Sequence, residues 1–252
     1  MVLVTGNATA EALREAPVKG RSLWQDARAR FFRNRAAVGG LIVLTLVSLF
    51  AIFGQSFAAW SNEDIDWALL GNVETQGMPS FANGHYFGVD ELGRDLYARV
   101  VQGTQVSLMV GVIGALIAVF FGTLYGAIAG YVGGRVDSIM MRFVDILMAI
   151  PYMFVLILLL VVFGRSLFML FVGIGLFSWM DMSRIARGQT LSIKNKEFVE
   201  AAIATGVPTF TIILRHIVPN LLGVVIVYAT LLVPNMILYE SFISFLGLGV
   251  QE

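Results

Sequence analysis

Two stretches without a single charged residue constrain this chain most: Ala36–Asn62, 27 residues long, and Val100–Gly134, 35 residues long. A helix that crosses a bilayer needs about 20 apolar residues. Inside lipid the backbone must satisfy its own hydrogen bonds, so a spanning segment of this composition is helical. Hydrophobic residues make up 58% of the chain and charged residues 13%, against about 45–50% and about 25% in soluble domains. That leaves too few polar groups to cover a water-facing surface. The expected fold class is therefore an all-α integral membrane protein, a polytopic helical bundle with the lipid bilayer as solvent. The chain has no Cys, which excludes disulfides and thiolate metal sites. His85 and His216 lie far apart in sequence, so no metal site or cofactor is expected.

Residues 1–35 are polar and carry Arg14, Lys19, Arg21, Arg28, Arg30, Arg33 and Arg35. This segment is too long for the charged start of a signal peptide, and the apolar stretch after it is too long for a signal core. It reads as a polar segment before an uncleaved first span. Trp24 to Arg35 fits a basic interfacial helix with Trp24, Ala27 and Phe31 on one side; a plain basic tail is the alternative. The first span lies within Ala36–Asn62. The acidic stretch from Glu63 to Asp95, with Arg94 its one basic residue, reads as loop from its Gly, Asn and Pro content.

Val100–Gly134 is too short for two spans and fits one span plus a surface turn. Gly122, Gly126, Gly130 and Gly134 recur every four residues and share a helical face that lets another helix approach closely. A third span covers Val136–Gly164, kinked at Pro151, with Arg142 and Asp145 spaced to pair on one face. The fourth span covers about Ser166–Met180 and runs on toward Ile185. Residues 181–216 are polar, and Asp181 reads as a solvated charge at a span end. Ile217–Tyr239 is the fifth span, with Pro219 at its start and Pro234 inside.

Basic residues near span ends favour the cytoplasmic side. With the amino terminus inside, fourteen basic residues fall in cytoplasmic segments. The external segments then hold Arg94, Arg99 and Arg165. The opposite orientation inverts that ratio, so residues 181–216 are expected in the cytoplasm. Residues 1–35 then form a cytoplasmic segment and 36–252 a permease domain, with an external loop at 61–99 and a cytoplasmic loop at 186–216.

That cytoplasmic loop holds the most informative pattern. Lys196 to Ala204 suits a helix. Ala201 and Ala202 give it a small flat face, Gly206 can end it with positive φ, and Pro208 suits the first turn of the next helix. The residues describe either a compact helical knob between two spans or an ordinary connection. Glu200-Ala201-Ala202, then Gly206, then His216-Ile217-Val218-Pro219 nine residues later, resembles the EAA loop of binding-protein-dependent ABC importer permeases. His216 and Val218 stand where the general pattern has Ile and Leu. The wording Arg215-His216-Ile217-Val218-Pro219-Asn220 is similar to the dipeptide, oligopeptide and nickel branch. Gly88-Val89-Asp90-Glu91-Leu92-Gly93-Arg94-Asp95 with Arg99 and Ser107-Leu108, and Ser241 to Gly249, resemble further signatures of that branch. The likeness runs from about Arg21 to Glu252 and is closest to the C-type permease of oligopeptide importers.

The resemblance implies a type I ABC importer permease bundle in a bacterial inner membrane, importing peptides. In it the EAA loop docks on a cytoplasmic ATPase. Glu200 would supply a polar contact, Ala201 and Ala202 a close fit, Gly206 the bend, and Pro219 the start of the next span. The implied partners are a second permease subunit, two ATP-binding subunits and a solute-binding protein; no nucleic acid is involved. Loop 61–99 would touch the binding protein, cap the pathway, or simply connect. The chain has no G-x-x-x-x-G-K-[ST], so ATP chemistry is expected in a partner and not here. Such permeases continue for one more span, so with five spans here either the chain is truncated, the favoured expectation, or the sixth span is supplied otherwise.

Two alternatives make different predictions. A gradient-driven secondary transporter would be expected to show related halves, and no internal repeat is visible. An intramembrane serine hydrolase would need Gly175-Leu176-Phe177-Ser178 to be followed by glycine; Trp179 stands there instead.

Overall fold

Residues 23–70 and 77–249 are described by the computed structural model. Arg14, Lys19, Arg21, Glu74 and the last residues from Val250 lie outside them. Helices account for the bundle, and among the described residues there is no strand, only isolated bridges between Ile65 and Arg94 and between Val89 and Asp95. The chain divides into two units, Met1–Gly54 and Gln55–Glu252.

The described part of the first unit is α1 (Leu23–Arg33) and α2 (Arg35–Phe53). Asn34 separates them. Its side-chain oxygen accepts from the backbone N–H of Ala36 at 3.0 Å and of Ala37 at 3.3 Å, capping α2 where the basic run gives way to apolar residues. α1 exposes Trp24, Phe31 and Phe32 beside Arg28, Arg30 and Arg33, the composition of a helix lying at a bilayer surface. α2 continues through a 3-10 turn at Gly54–Phe57. The apolar segment is thus 23 residues long, Arg35–Phe57, and ends inside the charge-free stretch.

The second unit is built on α3 (Leu96–Val132). One helix of 37 residues fills the long charge-free stretch, about 55 Å at 1.5 Å per residue. It begins four residues earlier than the apolar run because Asp95 caps it, accepting from the N–H of Ala98 at 2.8 Å. Its main partner is α6 (Leu167–Ile193). At Gly122 a Cβ would come within 3.0 Å of the Trp179 carbonyl and of Met182. At Gly126 it would meet Ser183, Ala186 and Arg187 as closely, and at Gly130 Arg187 and Thr190. Small residues are what permit such an approach. Between lipid-solvated helices the attraction comes from dispersion and packing rather than from water exclusion. Gly134 does not join this face: it lies past the end of α3, with φ +57°, and nothing stands within 4 Å of a Cβ there. Gly111 and Gly114, nearer the start of α3, instead admit Val233, Met236 and Ile237 of α9 (Val218–Phe245).

The segment expected as a kinked third span is two helices, α4 (Gly134–Met148) and α5 (Tyr152–Phe163), bent by 72° at the break. Neither alone is long enough to cross. Pro151 has no N–H to continue the ladder and disfavours helix at Ile150, so the bend exceeds the kink foreseen from sequence. α4 is the amphipathic half, with Asp137 and Val144 buried. Among the described residues four helices are long and apolar enough to span, or five spans if the bent pair counts as one.

The fourth span also differs from expectation. α6 does not stop at Met180 or Ile185 but continues to Ile193, with Met182, Ser183, Ala186 and Thr190 buried. Asp181 is exposed and lies within this helix rather than at its end. Large apolar residues such as Phe120, Phe121, Leu158 and Val161 point outward, while on α3 the buried positions are mostly glycines and alanines, an arrangement suited to close packing in lipid.

Gly126→Leu should force α3 and α6 apart, at a cost of about 3 kcal/mol from overpacking. Thermal melting of the detergent-purified protein should show a clear loss. Gly188→Ala, where a Cβ meets nothing within 4 Å, should leave the melting temperature unchanged or raised.

Candidate functional site

At the end of the bundle where α3 stops and α6 stops, the chain builds a compact knob. α7 (Glu197–Ala204) follows α6 after a short turn. Val199 and Ala202 are buried against Ile193, Ile212, Ile213 and Ile217, which fixes α7 to the bundle. Its other face is open: Glu197, Glu200, Ala201, Ile203 and Ala204 are exposed. Ala201 and Ala202 therefore do different things. Ala202 is an anchor in the core and Ala201 lies on the free face, a correction to the single flat face expected from sequence. The helix ends in a Schellman closure: Gly206 N–H donates to the Ile203 carbonyl at 2.9 Å and Val207 N–H to that of Ala202 at 3.1 Å. This geometry requires φ +75° at Gly206, a conformation costly for any residue with a Cβ.

Pro208 precedes a short turn of helix, α8 (Thr209–Ile212), which widens into a π-helical turn at Ile213–Ile217 before α9 begins. The Val218 N–H donates to the Ile213 carbonyl, five residues back. Pro219 sits in the first turn of α9 as expected and cannot donate to the carbonyl of Arg215. The N–H groups of this region thus reach further back than in an α-helix.

The arginines above the knob hold α4. Arg187 donates from Nε and Nη2 to the two oxygens of Asp137, at 2.5 and 2.6 Å, a bidentate fork. Arg184 donates to Asp145 at 2.5 Å. The pairing of Asp145 with Arg142 foreseen from their spacing gives way to this interhelical pair. Lys194 donates to the carbonyl of Gly130 at 3.1 Å, placing a cation at the carbonyl end of α3.

The opposite end of the bundle, where α3 and α6 begin and α9 ends, holds a cavity of about 640 Å3. Arg94, Arg99, Gln102, Glu240 and Ser244 are among its walls. Asp90 organises the approach to it, accepting from the N–H groups of Leu92 and Arg94, both at 2.9 Å, and from the Arg99 guanidinium at 3.0 Å. Beside it the loop is tied down by buried His85. Its ring nitrogens contact Asp95 at 2.9 Å and Asp66 at 3.3 Å, and its face stacks on Trp60 at 4.7 Å. A smaller cavity of about 240 Å3 lies midway along the bundle, with Tyr152, Ser178, Asp181, Asn235 and Tyr239 around it. The Tyr152 hydroxyl is buried there without a hydrogen-bond partner in the protein. Among the described residues no cluster of His, Asp and Glu could hold a metal ion.

The family described as the binding-protein-dependent transport system inner membrane component matches residues 122–251, which include the α7 knob and the stretch from Ser241 to Gly249. The N-terminal TM domain of oligopeptide transport permease C matches residues 22–72. This chain belongs to the binding-protein-dependent ABC importer permeases. The oligopeptide transport system permease protein OppC of Escherichia coli (strain K12) is 58% identical over 235 residues, 93% of this chain and 76% of that protein. OppC of Haemophilus influenzae is 52% identical over 243 residues, 96% of this chain and 76% of that protein. The dipeptide transport system permease protein DppC of Bacillus subtilis is 44% identical over 230 residues, 91% of this chain and 70% of that protein. Membership replaces the gradient-driven alternative, and the permease is a helical integral membrane protein as its composition indicated.

Sequence reasoning missed Glu240, His85 and the α4–α6 ion pairs. Glu240 carried a readable signal: it is the one charged residue between Ile217 and Gln251, and an ionisable group inside an apolar span is costly unless it has a use. The pairs had none, because Asp137 and Arg187 are 50 residues apart.

A double-mutant cycle on Asp137→Ala and Arg187→Ala should give a coupling energy of about 1–3 kcal/mol for this half-buried charge-assisted pair. It would be read from thermal or denaturant unfolding of the purified permease. Additive single effects would show that the pair does not hold α4.

Proposed function

We propose that this permease forms half of the translocation pathway of a peptide importer. A second permease forms the other half, two ATPase chains bind on the cytoplasmic side, and a solute-binding protein delivers the peptide. The observation that carries the reading is α7: a helix anchored to the bundle by Val199 and Ala202 yet presenting Glu200, Ala201 and Ala204 outward. Side chains on that face are not used by the chain itself and suit a protein partner. The named relatives transport oligopeptides or dipeptides, which supports peptides as the cargo.

In this reading residues 1–35 and the loop around α7 lie in the cytoplasm of a bacterial cell, in keeping with their basic residues. Loop 61–99 and the larger cavity then face outward. Closure of the ATPase pair on ATP pushes α7. Because α7 is packed on Ile212, Ile213 and Ile217, the displacement passes into α9 and α6 rather than being absorbed by a soft loop. Glu200 contributes a polar contact to the ATPase and Ala201 a close fit. Ala202 acts from behind as an anchor, Gly206 sets the bend, and Pro219 sets the start of α9. The three glycines on α3 keep the bundle stiff by holding α6 close.

The test separates docking from folding. Glu200→Arg combined with Ala201→Trp changes only exposed positions, so the permease should still insert and melt normally. Native mass spectrometry of the gently extracted complex should show wild type with a second permease and two ATPase chains, and the variant without the ATPases. Full ATPase recovery and normal peptide uptake by the variant would remove α7 as the coupling element.

A further inference from the structure

Glu240 is buried at 7% exposure near the end of α9. One carboxylate oxygen accepts from the Ser107 hydroxyl of α3 at 2.8 Å and the other from the Ser244 hydroxyl at 2.9 Å. Among the described residues no Lys, Arg or His forms an ion pair with it. A carboxylate has about four acceptor positions, so two remain. A charge withdrawn from water without a counter-charge is strongly disfavoured, and two neutral hydroxyls do not supply one. Glu240 and Ser244 both line the large cavity, and Arg94 and Arg99 line it too. The cavity thus carries acidic positions on α9 and the loop, Glu240 and Asp90, and basic positions on the loop and α3, where Arg99 is paired with Asp90.

We propose that Glu240, oriented by Ser107 and Ser244, is a binding site for a primary ammonium, the α-amino group of a peptide entering the pathway. The proposal rests on the peptide-importer reading. An ammonium has three donors, two of which can meet the two free acceptor positions of Glu240 while the third faces the cavity, whereas a metal ion would require more oxygen or nitrogen ligands than the site offers. Arg94 suits the carboxylate of the same zwitterion, while Arg99 is already paired with Asp90. A volume of about 640 Å3 accommodates a few residues of peptide. The two serines act as positioning residues: they hold the carboxylate toward the cavity and tie α9 to α3 at this end.

The experiment uses the assembled importer in nanodiscs without its solute-binding protein, with radiolabelled trialanine as probe. Wild type should bind trialanine, bind N-acetyl-trialanine at least tenfold more weakly, and release trialanine when ethylammonium is added. E240Q keeps the size and the acceptor for a serine hydroxyl. It should lose trialanine binding at least tenfold while complex recovery and melting temperature are unchanged. Equal binding of the free and acetylated peptides, or wild-type binding by E240Q, would overturn the proposal. The acetylation contrast and the ethylammonium competition are made on wild type, so they decide even if E240Q fails to assemble. Labelled ethylammonium bound at Glu240 with no binding of trialanine would keep the ammonium site and overturn the peptide reading. Binding of neither probe would overturn the site itself.

Discussion

The close approach of α3 and α6 is the contact on which the rest of the second unit depends. In lipid, apolar surface gains little by leaving its surroundings for another apolar surface, so helix pairs are held by how many atoms they bring within van der Waals range. Gly122, Gly126 and Gly130 let the α6 backbone itself reach α3. With α6 fixed along this line, Arg184 and Arg187 stand where α4 can meet them, Lys194 reaches the last turn of α3, and the chain leaves α6 already aimed at α7. The knob inherits its position from three missing side chains.

What could be read in advance followed from the solvent. Long charge-free runs announced α2, α3 and α9, and the four-residue glycine spacing marked the face of α3 that α6 meets. Gly206 identified itself because a helix stop at that spacing needs positive φ. The failures have a common cause. Asp181, Arg184 and Arg187 mark where the apolar run of the fourth span stops, because a charge is normally unwelcome in lipid, and do not mark where its helix stops. The structure neutralises Arg184 and Arg187 with Asp145 and Asp137, so helix α6 runs on to Ile193. A pairing between residues 50 apart leaves no periodic trace. The break at Ala149–Pro151 was visible as a proline, but whether a proline kinks a helix or ends it depends on what neighbours satisfy the freed carbonyls. Ala201 and Ala202, adjacent and alike in sequence, diverge because a helix turns about 100° between them.

The two ends of the bundle differ in chemistry. The α7 end is a rigid surface made from backbone closure and aliphatic anchoring, with its charges outward. The other end is a loop pinned by His85 between Asp66 and Asp95, around a cavity with both signs of charge. α9 joins them as one helix, starting beside the knob and carrying Glu240 near its far end. Pro234 lies within α9 without ending it.

The π-helical turn at Ile213–Ile217 sets a phase. Ile213, Ile217, Leu221 and Val225 are all buried and are spaced by four. In an unbroken α-helix residues four apart advance about 40° around the axis, so three such steps would carry Val225 about 120° away from Ile213. The wider turn holds one residue more per hydrogen-bonded loop and takes back part of that rotation, keeping the four aliphatics on a single seam. The length of this turn is therefore a gear setting: a one-residue insertion or deletion between Pro208 and Pro219 would rotate the whole of α9 against its neighbours and swing Glu240 out of line with Ser107, without altering any residue at either place.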